Sequence, residues 1–124
     1  MHKVGVKARF SAAHSLREYG GNCEKLHGHN WLVELVCGSD ELDNLGMVMD
    51  FRALKKALGE AIGRLDHSFL NEVEPFNEIN PSSENIARHI YEEISSRLPS
   101  GKPVKLVSVR VWESEDSWAE YAGL

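Results

Sequence analysis

Two histidines one residue apart, His27 and His29, lie within the segment CEKLHGHN at residues 23–30. In an extended strand, side chains at i and i+2 point to the same face, so these imidazoles can reach one metal ion. A third candidate ligand, His14, ends an alternating segment upstream. Three neutral imidazoles would leave one coordination position open, which is typical of catalytic zinc centres that polarise a bound oxygen.

Two strands are expected to bring these histidines together. Residues 3 to 14 alternate apolar and polar side chains, which predicts a strand whose inward face ends at His14. The odd positions from His27 to Ser39 predict a second strand, with His27 and His29 opening its inward face. Antiparallel pairing would place the end of the first strand beside the start of the second. The pair at 27 and 29 could arise by chance on a strand, but the position of His14 favours a metal site.

A thiol and a further histidine are candidates for proton transfer. Close to a cation and a histidine, Cys23 would deprotonate readily and act as a base or nucleophile, whereas buried alone it would be inert. Asp66 and His67 follow a predicted helix. His67 could exchange a proton with Cys23 while Asp66 orients the imidazole, or it could simply complement the helix C-terminus. The residues alone leave both readings open. Cys37, within an apolar strand face, is interpreted as core packing.

A carboxylate is predicted at the end of the last long strand, residues 104 to 113. Val107, Val109 and Val111 are expected to share its inward face, and Glu113 continues it. An unpaired carboxylate there is costly, so Glu113 needs either an ion-pair partner such as Arg110 or a ligand. Its two oxygens suit the paired N–H groups of a 2-aminopyrimidinone, as in pterins and guanine.

Two amphipathic helices complete the pattern. Asp50 is predicted to cap a helix with the apolar stripe Phe51, Leu54, Leu58, Ala61, Ile62 and Leu65, and Ser82 a second helix with Ile86, Ile90, Ile94 and Leu98. Glu84 is interpreted as a first-turn acid favoured by the helix dipole. Short strands are expected at residues 46–49 and 117–121. This order predicts an α+β fold with an antiparallel sheet and both helices on one face, whose uncovered surface favours oligomerisation.

Composition limits the class of protein. The 124 residues are expected to form one domain, residues 1–124. The net charge of -5 argues against nucleic acid as a partner. There is no apolar run near the roughly 20 residues that span a bilayer and no signal-peptide pattern, so we expect no membrane partner and a cytoplasmic location. Both cysteines are expected to be free thiols there.

Taken together, these motifs resemble the 6-pyruvoyltetrahydropterin synthase family. The resemblance covers nearly the whole chain and rests on FSAAH at residues 10–14, CxxxHGHN at 23–30, VMDF at 48–51, LDH at 65–67, PSSEN at 81–85, and Glu113 with WAEY at 118–121. It implies the tunnelling fold, with a four-stranded antiparallel sheet and two helices in each subunit. Subunits of this family join their sheets into a barrel, as trimers that stack into hexamers with active sites between subunits.

The resemblance also implies roles for individual residues. His14, His27 and His29 would bind zinc, Cys23 would accept a proton, and Asp66, His67 and Glu113 would complete the relay. Glu113 would also hold the pterin, and Ser82, Ser83 and Glu84 resemble a second pterin-contacting segment. The phosphates have no such assignment: Lys25, Arg17 and Lys105 could bind them, but nothing in the sequence distinguishes these three residues from ordinary surface charges.

The three residues between Cys23 and His27 resemble the bacterial 6-carboxytetrahydropterin synthase branch, which acts in queuosine biosynthesis. Animal pyruvoyl-forming synthases have a longer spacing, and a third branch has glutamate in place of the cysteine. The implied reaction converts 7,8-dihydroneopterin triphosphate to 6-carboxytetrahydropterin, acetaldehyde and triphosphate. The alternatives are the pyruvoyl-forming reaction, an aldolase-like reaction on the same ligand, and a non-catalytic module that binds zinc or pterin.

Overall fold

Alternating side chains build two long paired strands. In a computed structural model, which describes residues 1–21 and 24–123, β1 spans His2–His14 and β2 spans His27–Ser39. They pair antiparallel along their whole length, with His14 opposite His27. The inward face of β2 is fully buried at its apolar positions, which are Trp31, Val33, Leu35 and Cys37. The bounds of β2 and the inward parity of both strands are as predicted.

The sheet contains five strands in the order β3-β1-β2-β4-β5. Strand β4 (Lys105–Trp112) pairs antiparallel with β2 and with β5 (Trp118–Ala122), which confirms the predicted four antiparallel strands. The fifth strand, β3, has only two residues, Ser68–Phe69, and pairs parallel with β1. A 3₁₀ turn, Leu70–Glu72, follows β3 directly. Among the residues that the structure describes, the sheet is open, with β3 and β5 at its edges.

The strand predicted at residues 46–49 is wrong. This segment is irregular and follows a turn in which the Asp43 carboxylate accepts hydrogen bonds from the backbone N–H groups of Leu45 (2.9 Å) and Met47 (3.0 Å). Gly46 has a φ of 78°, a left-handed conformation that favours glycine. A short carboxylate side chain that captures nearby N–H groups competes with strand pairing, and here it prevails.

A bulge in β4 changes one predicted core position. Val36 of β2 lies opposite Ser108, whereas its neighbour Cys37 lies opposite Leu106, so Val107 is the extra residue. Val109 and Val111 are fully buried as predicted. Before the bulge, Leu106 packs against the core in place of Val107.

Both helices begin where their capping residues predict. Helix α1 spans Phe51–Ile62, and the Asp50 carboxylate accepts from the N–H of Arg52. Helix α2 spans Ser83–Ser95, and the Ser82 hydroxyl accepts from the N–H of Asn85. They pack on the same sheet face as the buried side of β2, with α1 against β1 and α2 against β4 and β5. Phe51 is 54% exposed, so its place in the predicted apolar stripe is wrong.

No described helix is long and apolar enough to cross a bilayer.

We expect Leu58→Ala in α1 to lower the free energy of unfolding by about 2–5 kcal/mol, because Leu58 is fully buried and truncation leaves a cavity. Urea denaturation at fixed protein concentration measures this. The matched control is Leu45→Ala, at a position that is 79% exposed, which should change stability by about 0.5 kcal/mol or less. Equal losses in the two variants would contradict the assigned core.

Candidate functional site

The register of β1 and β2 brings three imidazoles to one end of the sheet. His14 lies opposite His27, and His29 is two residues further along the same face of β2. The ring centroids are 4.5 Å apart for His14 and His27, 4.7 Å for His27 and His29, and 5.1 Å for His14 and His29. The structure therefore places all three candidate metal ligands around one point.

Backbone carbonyl oxygens orient two of these rings. Nδ1 of His14 lies 2.8 Å from the carbonyl oxygen of Pro81, and Nδ1 of His27 lies 2.9 Å from that of Lys25. A carbonyl oxygen only accepts hydrogen bonds, so each Nδ1 carries the proton and each Nε2 keeps its lone pair. This tautomer, inferred from the hydrogen bonds, directs the Nε2 lone pairs towards the centre of the cluster.

The floor of the cluster is apolar. Trp31 is fully buried, contacts the rings of His14 and His29 edge-on at 4.9 and 5.3 Å, and donates its indole N–H to the carbonyl of Ala12. Burial lowers the pKa of His29, although the nearby Glu113 carboxylate opposes that shift. The net effect favours neutral His29, the form that ligates a metal.

Glu113 completes the cluster. Its Oε1 lies 3.0 Å from Nε2 of His29, 3.7 Å from that of His14 and 3.9 Å from that of His27. Arg110, the ion-pair partner suggested by the sequence, instead contacts Glu120 at 3.3 Å. β4 thus places a carboxylate beside the corner of the cluster where the sequence predicted an open coordination position.

These donors suit a divalent metal ion. The four donor atoms of His14, His27, His29 and Glu113 all lie within 4.8 Å of one another. Nε2 of His14 and Nε2 of His29 are both buried, and neither makes a hydrogen bond of good geometry, although Oε1 of Glu113 lies 3.0 Å from that of His29. Buried polar atoms are normally satisfied, and a bound cation would satisfy both. Imidazole and carboxylate together are a typical donor set for zinc.

Asp66 and His67 form a separate pair next to β3. Oδ1 of Asp66 lies 3.0 Å from Nδ1 of His67 and accepts the N–H of Ser11, and this backbone hydrogen bond is the main cause that lowers the pKa of Asp66. His67 has a φ of 56°, uncommon for a residue with a side chain, and its side chain is 84% exposed. Both Asp66 and His67 lie outside the four-residue cluster.

A shallow depression lies beside His67 and the candidate metal ligand His29. Its volume is about 370 Å³, and its lining includes His67, Gly28, His29 and Asn30. Gly28 is not required by close packing, because an added Cβ would meet its nearest atom at 3.9 Å. The predicted base Cys23 lies outside the described residues, so its distance from His67 and from the cluster is not part of this geometry.

The segment after His14 is fixed by hydrogen bonds that the sequence did not predict. The Arg17 guanidinium donates to the carbonyl oxygens of Asn71 (3.1 Å), Phe76 (2.6 Å) and Ile79 (3.1 Å). Arg17 therefore holds the loop that supplies the Pro81 carbonyl to His14, which argues against its proposed role as a phosphate ligand. Lys105 lies opposite Gly38, at the end of the sheet away from the histidines, and is also a poor candidate.

Glu24 is a second residue that sequence reasoning missed. Its backbone N–H donates to the carbonyl of Leu16 (2.9 Å), and its Oε1 accepts the N–H of Leu16 (3.2 Å). The same Oε1 lies 3.7 Å from Nδ1 of His27. Glu24 thus ties the strand that begins at His27 to the turn after His14.

The segment predicted to contact a pterin lies beside the cluster. The Ser83 hydroxyl donates to Oε2 of Glu113 at 3.1 Å, while the Ser82 hydroxyl is the cap of α2. Glu84 is exposed in the first turn of α2. Of these three residues, Ser83 is the one with a direct contact to the four-residue cluster.

Comparison with known proteins adds to this geometry. The family described as 6-pyruvoyl tetrahydropterin synthase matches residues 3–123. The chain is 36% identical over 118 residues to 6-carboxy-5,6,7,8-tetrahydropterin synthase of Bacillus subtilis, covering 90% of this chain and 78% of the relative. It is 37% identical over 118 residues to dihydroneopterin monophosphate aldolase of Pyrococcus furiosus, covering 95% of both chains. The solved 6-pyruvoyl tetrahydropterin synthase of Caenorhabditis elegans matches with a TM-score of 0.83 and 26% identity, over 99% of this chain and 96% of that one.

The geometry predicts that the four-residue cluster binds one metal ion. His14→Ala should lower metal affinity by at least about 10-fold, because it removes a ligand and metal sites lose that much even when only an outer partner is removed. Isothermal titration calorimetry of the metal-free protein with zinc measures the affinity. His2→Ala, at an exposed position, is the matched control and should bind zinc as the wild type does. Unchanged affinity in His14→Ala would refute this site.

Proposed function

Because the chain belongs to the 6-pyruvoyl tetrahydropterin synthase family, we propose that it is a zinc-dependent lyase acting on a pterin triphosphate. The proposed reaction converts 7,8-dihydroneopterin triphosphate and one water molecule to 6-carboxy-5,6,7,8-tetrahydropterin, acetaldehyde and triphosphate, within queuosine biosynthesis. The observation that carries the proposal is the convergence of three imidazole nitrogens and the Glu113 carboxylate on one point. A non-catalytic binding module is less favoured, since the relatives with this fold are named as enzymes.

The choice of the carboxy-forming branch has two supports. The relative from Bacillus subtilis carries that activity in its name, at 36% identity over most of this chain. The second support is the spacing of three residues between Cys23 and His27, which resembles that branch. The pyruvoyl-forming reaction is an alternative, because the Caenorhabditis elegans neighbour, which has the same fold, is named as a 6-pyruvoyl tetrahydropterin synthase.

Each residue has a role in the proposed reaction. Bound zinc would act as a Lewis acid that makes the side-chain hydroxyls of the substrate more acidic. The Glu113 carboxylate would accept the paired N–H groups of the pterin ring, with Ser82, Ser83 and Glu84 lining the same end of α2. Cys23 would take a proton from the substrate side chain, and His67, oriented by Asp66, would return one to the substrate.

We propose that His67 serves a site shared between subunits of a homo-oligomer, a trimer or a hexamer of stacked trimers. Its imidazole is 84% exposed and its Nδ1 lies 3.0 Å from Oδ1 of Asp66. Nε2 would therefore be the ring nitrogen that serves the site of a neighbouring subunit. The positive φ of His67 costs free energy, and such backbone conformations cluster at functional sites, which supports such a role.

One second candidate is favoured by a specific observation. The Pyrococcus furiosus relative is named as a dihydroneopterin monophosphate aldolase and matches 95% of both chains at 37% identity. Retro-aldol cleavage needs the same acid and base groups and the same pterin anchor. Identity alone does not separate the two reactions, since the Bacillus subtilis relative is 36% identical.

A product assay tests the proposal. Purified zinc-loaded protein supplied with 7,8-dihydroneopterin triphosphate should release acetaldehyde and 6-carboxytetrahydropterin in equal amounts, measured by mass spectrometry. Pyruvoyltetrahydropterin without acetaldehyde would overturn the branch assignment. A parallel reaction with dihydroneopterin monophosphate that releases glycolaldehyde phosphate would favour the aldolase instead.

The role of Cys23 is tested in the same assay. Cys23→Ala should lower turnover by at least about 100-fold, as expected for loss of a general base, while zinc content stays at the wild-type level. Cys37→Ala is the matched control, because Cys37 is fully buried and burial raises its thiol pKa to about 11, which keeps it inert. Loss of zinc from Cys23→Ala would show that the cysteine is a ligand, and the relay would be wrong.

Mixing inactive variants tests the shared site. Cys23→Ala and His67→Ala should each be inactive, but oligomers reassembled from both should regain part of the activity, because some sites would receive both intact groups. Reassembled mixtures of Cys23→Ala with His27→Ala are the control, since both changes fall in the same short segment. If neither mixture regains activity, His67 acts in the site of its own chain and the shared site is wrong.

A further inference from the structure

Two asparagine side chains fix the backbone directly after the candidate metal ligand His14. Asn71 accepts the N–H of Ser15 at Oδ1 (2.9 Å) and donates from Nδ2 to the carbonyl oxygen of Ser15 (2.8 Å). Asn80 pairs in the same way with the N–H (2.7 Å) and the carbonyl oxygen (3.1 Å) of Arg17. A primary amide offers both a donor and an acceptor, as a backbone peptide does, so these side chains take the place of a neighbouring strand. Asn71 and Asn80 are named the amide clamp below.

One residue of the amide clamp directly precedes the carbonyl group that holds the His14 ring. Nδ1 of His14 lies 2.8 Å from the carbonyl oxygen of Pro81, the residue after Asn80. The Asn85 side chain donates to the carbonyl oxygen of Asn80 at 2.8 Å, so Asn80 is fixed at its side chain and at its backbone. The first carbonyl acceptor within α2 belongs to Ser82, which leaves the Pro81 carbonyl outside the helix and available to His14.

His14 depends on this carbonyl because its ring is shielded from solvent. Its side chain is 2% exposed, so water has little access to replace a lost acceptor at Nδ1. A neutral imidazole carries its proton on one of its two nitrogens, and a hydrogen bond at one nitrogen selects the tautomer. With the proton on Nδ1, Nε2 is free to bind a metal ion. The position of the Pro81 carbonyl therefore controls both the tautomer of His14 and the direction of its Nε2 lone pair.

We propose that Asn80 is a positioning residue for the metal site, which raises metal affinity by fixing the Pro81 carbonyl against His14. This inference rests on the metal site of the proposed function and deepens it. Asn80 lies outside the four-residue cluster and acts through Pro81 and His14. Partners that orient a ligating histidine typically contribute about 10- to 100-fold to metal affinity.

The amide clamp matters because the two groups that it aligns come from distant parts of the chain. His14 ends β1, whereas the Pro81 carbonyl belongs to the segment before α2. Asn80 joins this segment to Arg17, three residues after His14, and so limits movement of the carbonyl relative to the ring. If the same hydrogen bonds only held the loop in place, their loss would lower stability without changing the metal affinity of the folded protein.

Zinc affinity separates these two roles. Asn80→Ala should bind zinc about 10- to 100-fold more weakly than the wild type, measured by isothermal titration calorimetry of the metal-free protein. Asn77→Ala, at an exposed position of the same loop, is the matched control and should bind as the wild type does. Leu58→Ala controls for stability, because Leu58 is fully buried in α1 and lies outside the amide clamp. While folded, it should keep the wild-type zinc affinity.

The tautomer of His14 is a second readout, which a general loss of stability does not change. Two-bond ¹H–¹⁵N correlation spectra of the metal-free protein, recorded at about pH 9 where histidine side chains are neutral, distinguish the two tautomers. The spectrum of His14→Ala identifies the His14 signals by their absence. We expect the proton on Nδ1 in the wild type and a mixture of both tautomers in Asn80→Ala.

The combined results decide the inference. Wild-type zinc affinity and tautomer in Asn80→Ala would overturn it, and so would an equal loss of affinity in folded Leu58→Ala. If Asn80→Ala does not fold, Asn80→Asp replaces it, because aspartate keeps the acceptor for the N–H of Arg17 and loses the donor to its carbonyl. This variant should bind zinc about 10-fold more weakly, and unchanged affinity would again overturn the inference. A protein that behaves as expected here but forms no product contradicts the proposed reaction alone.

Discussion

The pairing register of β1 with β2 is the constraint on which the site depends. Because side chains alternate along a strand, a slip of one residue would move His27 and His29 to the opposite face of the sheet. The register is fixed by the apolar residues further along both strands, which are fully buried at Trp31, Val33 and Leu35. The histidine cluster is therefore specified by core packing, and much of the energy that holds the histidines together comes from buried apolar residues outside the cluster.

Most of the scaffold could be predicted because its signals are local. Alternation predicts β2 from His27 to Ser39, and side-chain caps at Asp50 and Ser82 mark the beginning of each helix. The approach of His14 to His27 follows from antiparallel pairing of consecutive strands. The family resemblance noted from the motifs is also confirmed by the match over residues 3–123.

The features that could not be predicted depend on contacts between distant residues. A two-residue parallel strand such as β3 has no periodicity, and the bulge at Val107 appears only when β4 is aligned with β2. The direction of Glu113 was ambiguous for the same reason: its parity points inward, but Arg110 is closer in sequence than any histidine. The carbonyl acceptors of Arg17 lie 54 to 62 residues away, which no local pattern reports.

The two hydrogen bonds between Glu24 and Leu16 give a physical reason for the number of residues between Cys23 and His27 in the sequence. The chain is fixed at Glu24 by two hydrogen bonds and again at His27 by the strand register. Only Lys25 and Leu26 lie between these points, and the carbonyl of Lys25 is itself held by His27. A longer segment between Glu24 and His27 would have to bulge out between these two fixed points, or the hydrogen bonds between Glu24 and Leu16 would be lost. The length of the spacer between Glu24 and His27 therefore sets how the whole turn is anchored, and an insertion there would detach the turn from one of its two fixed ends.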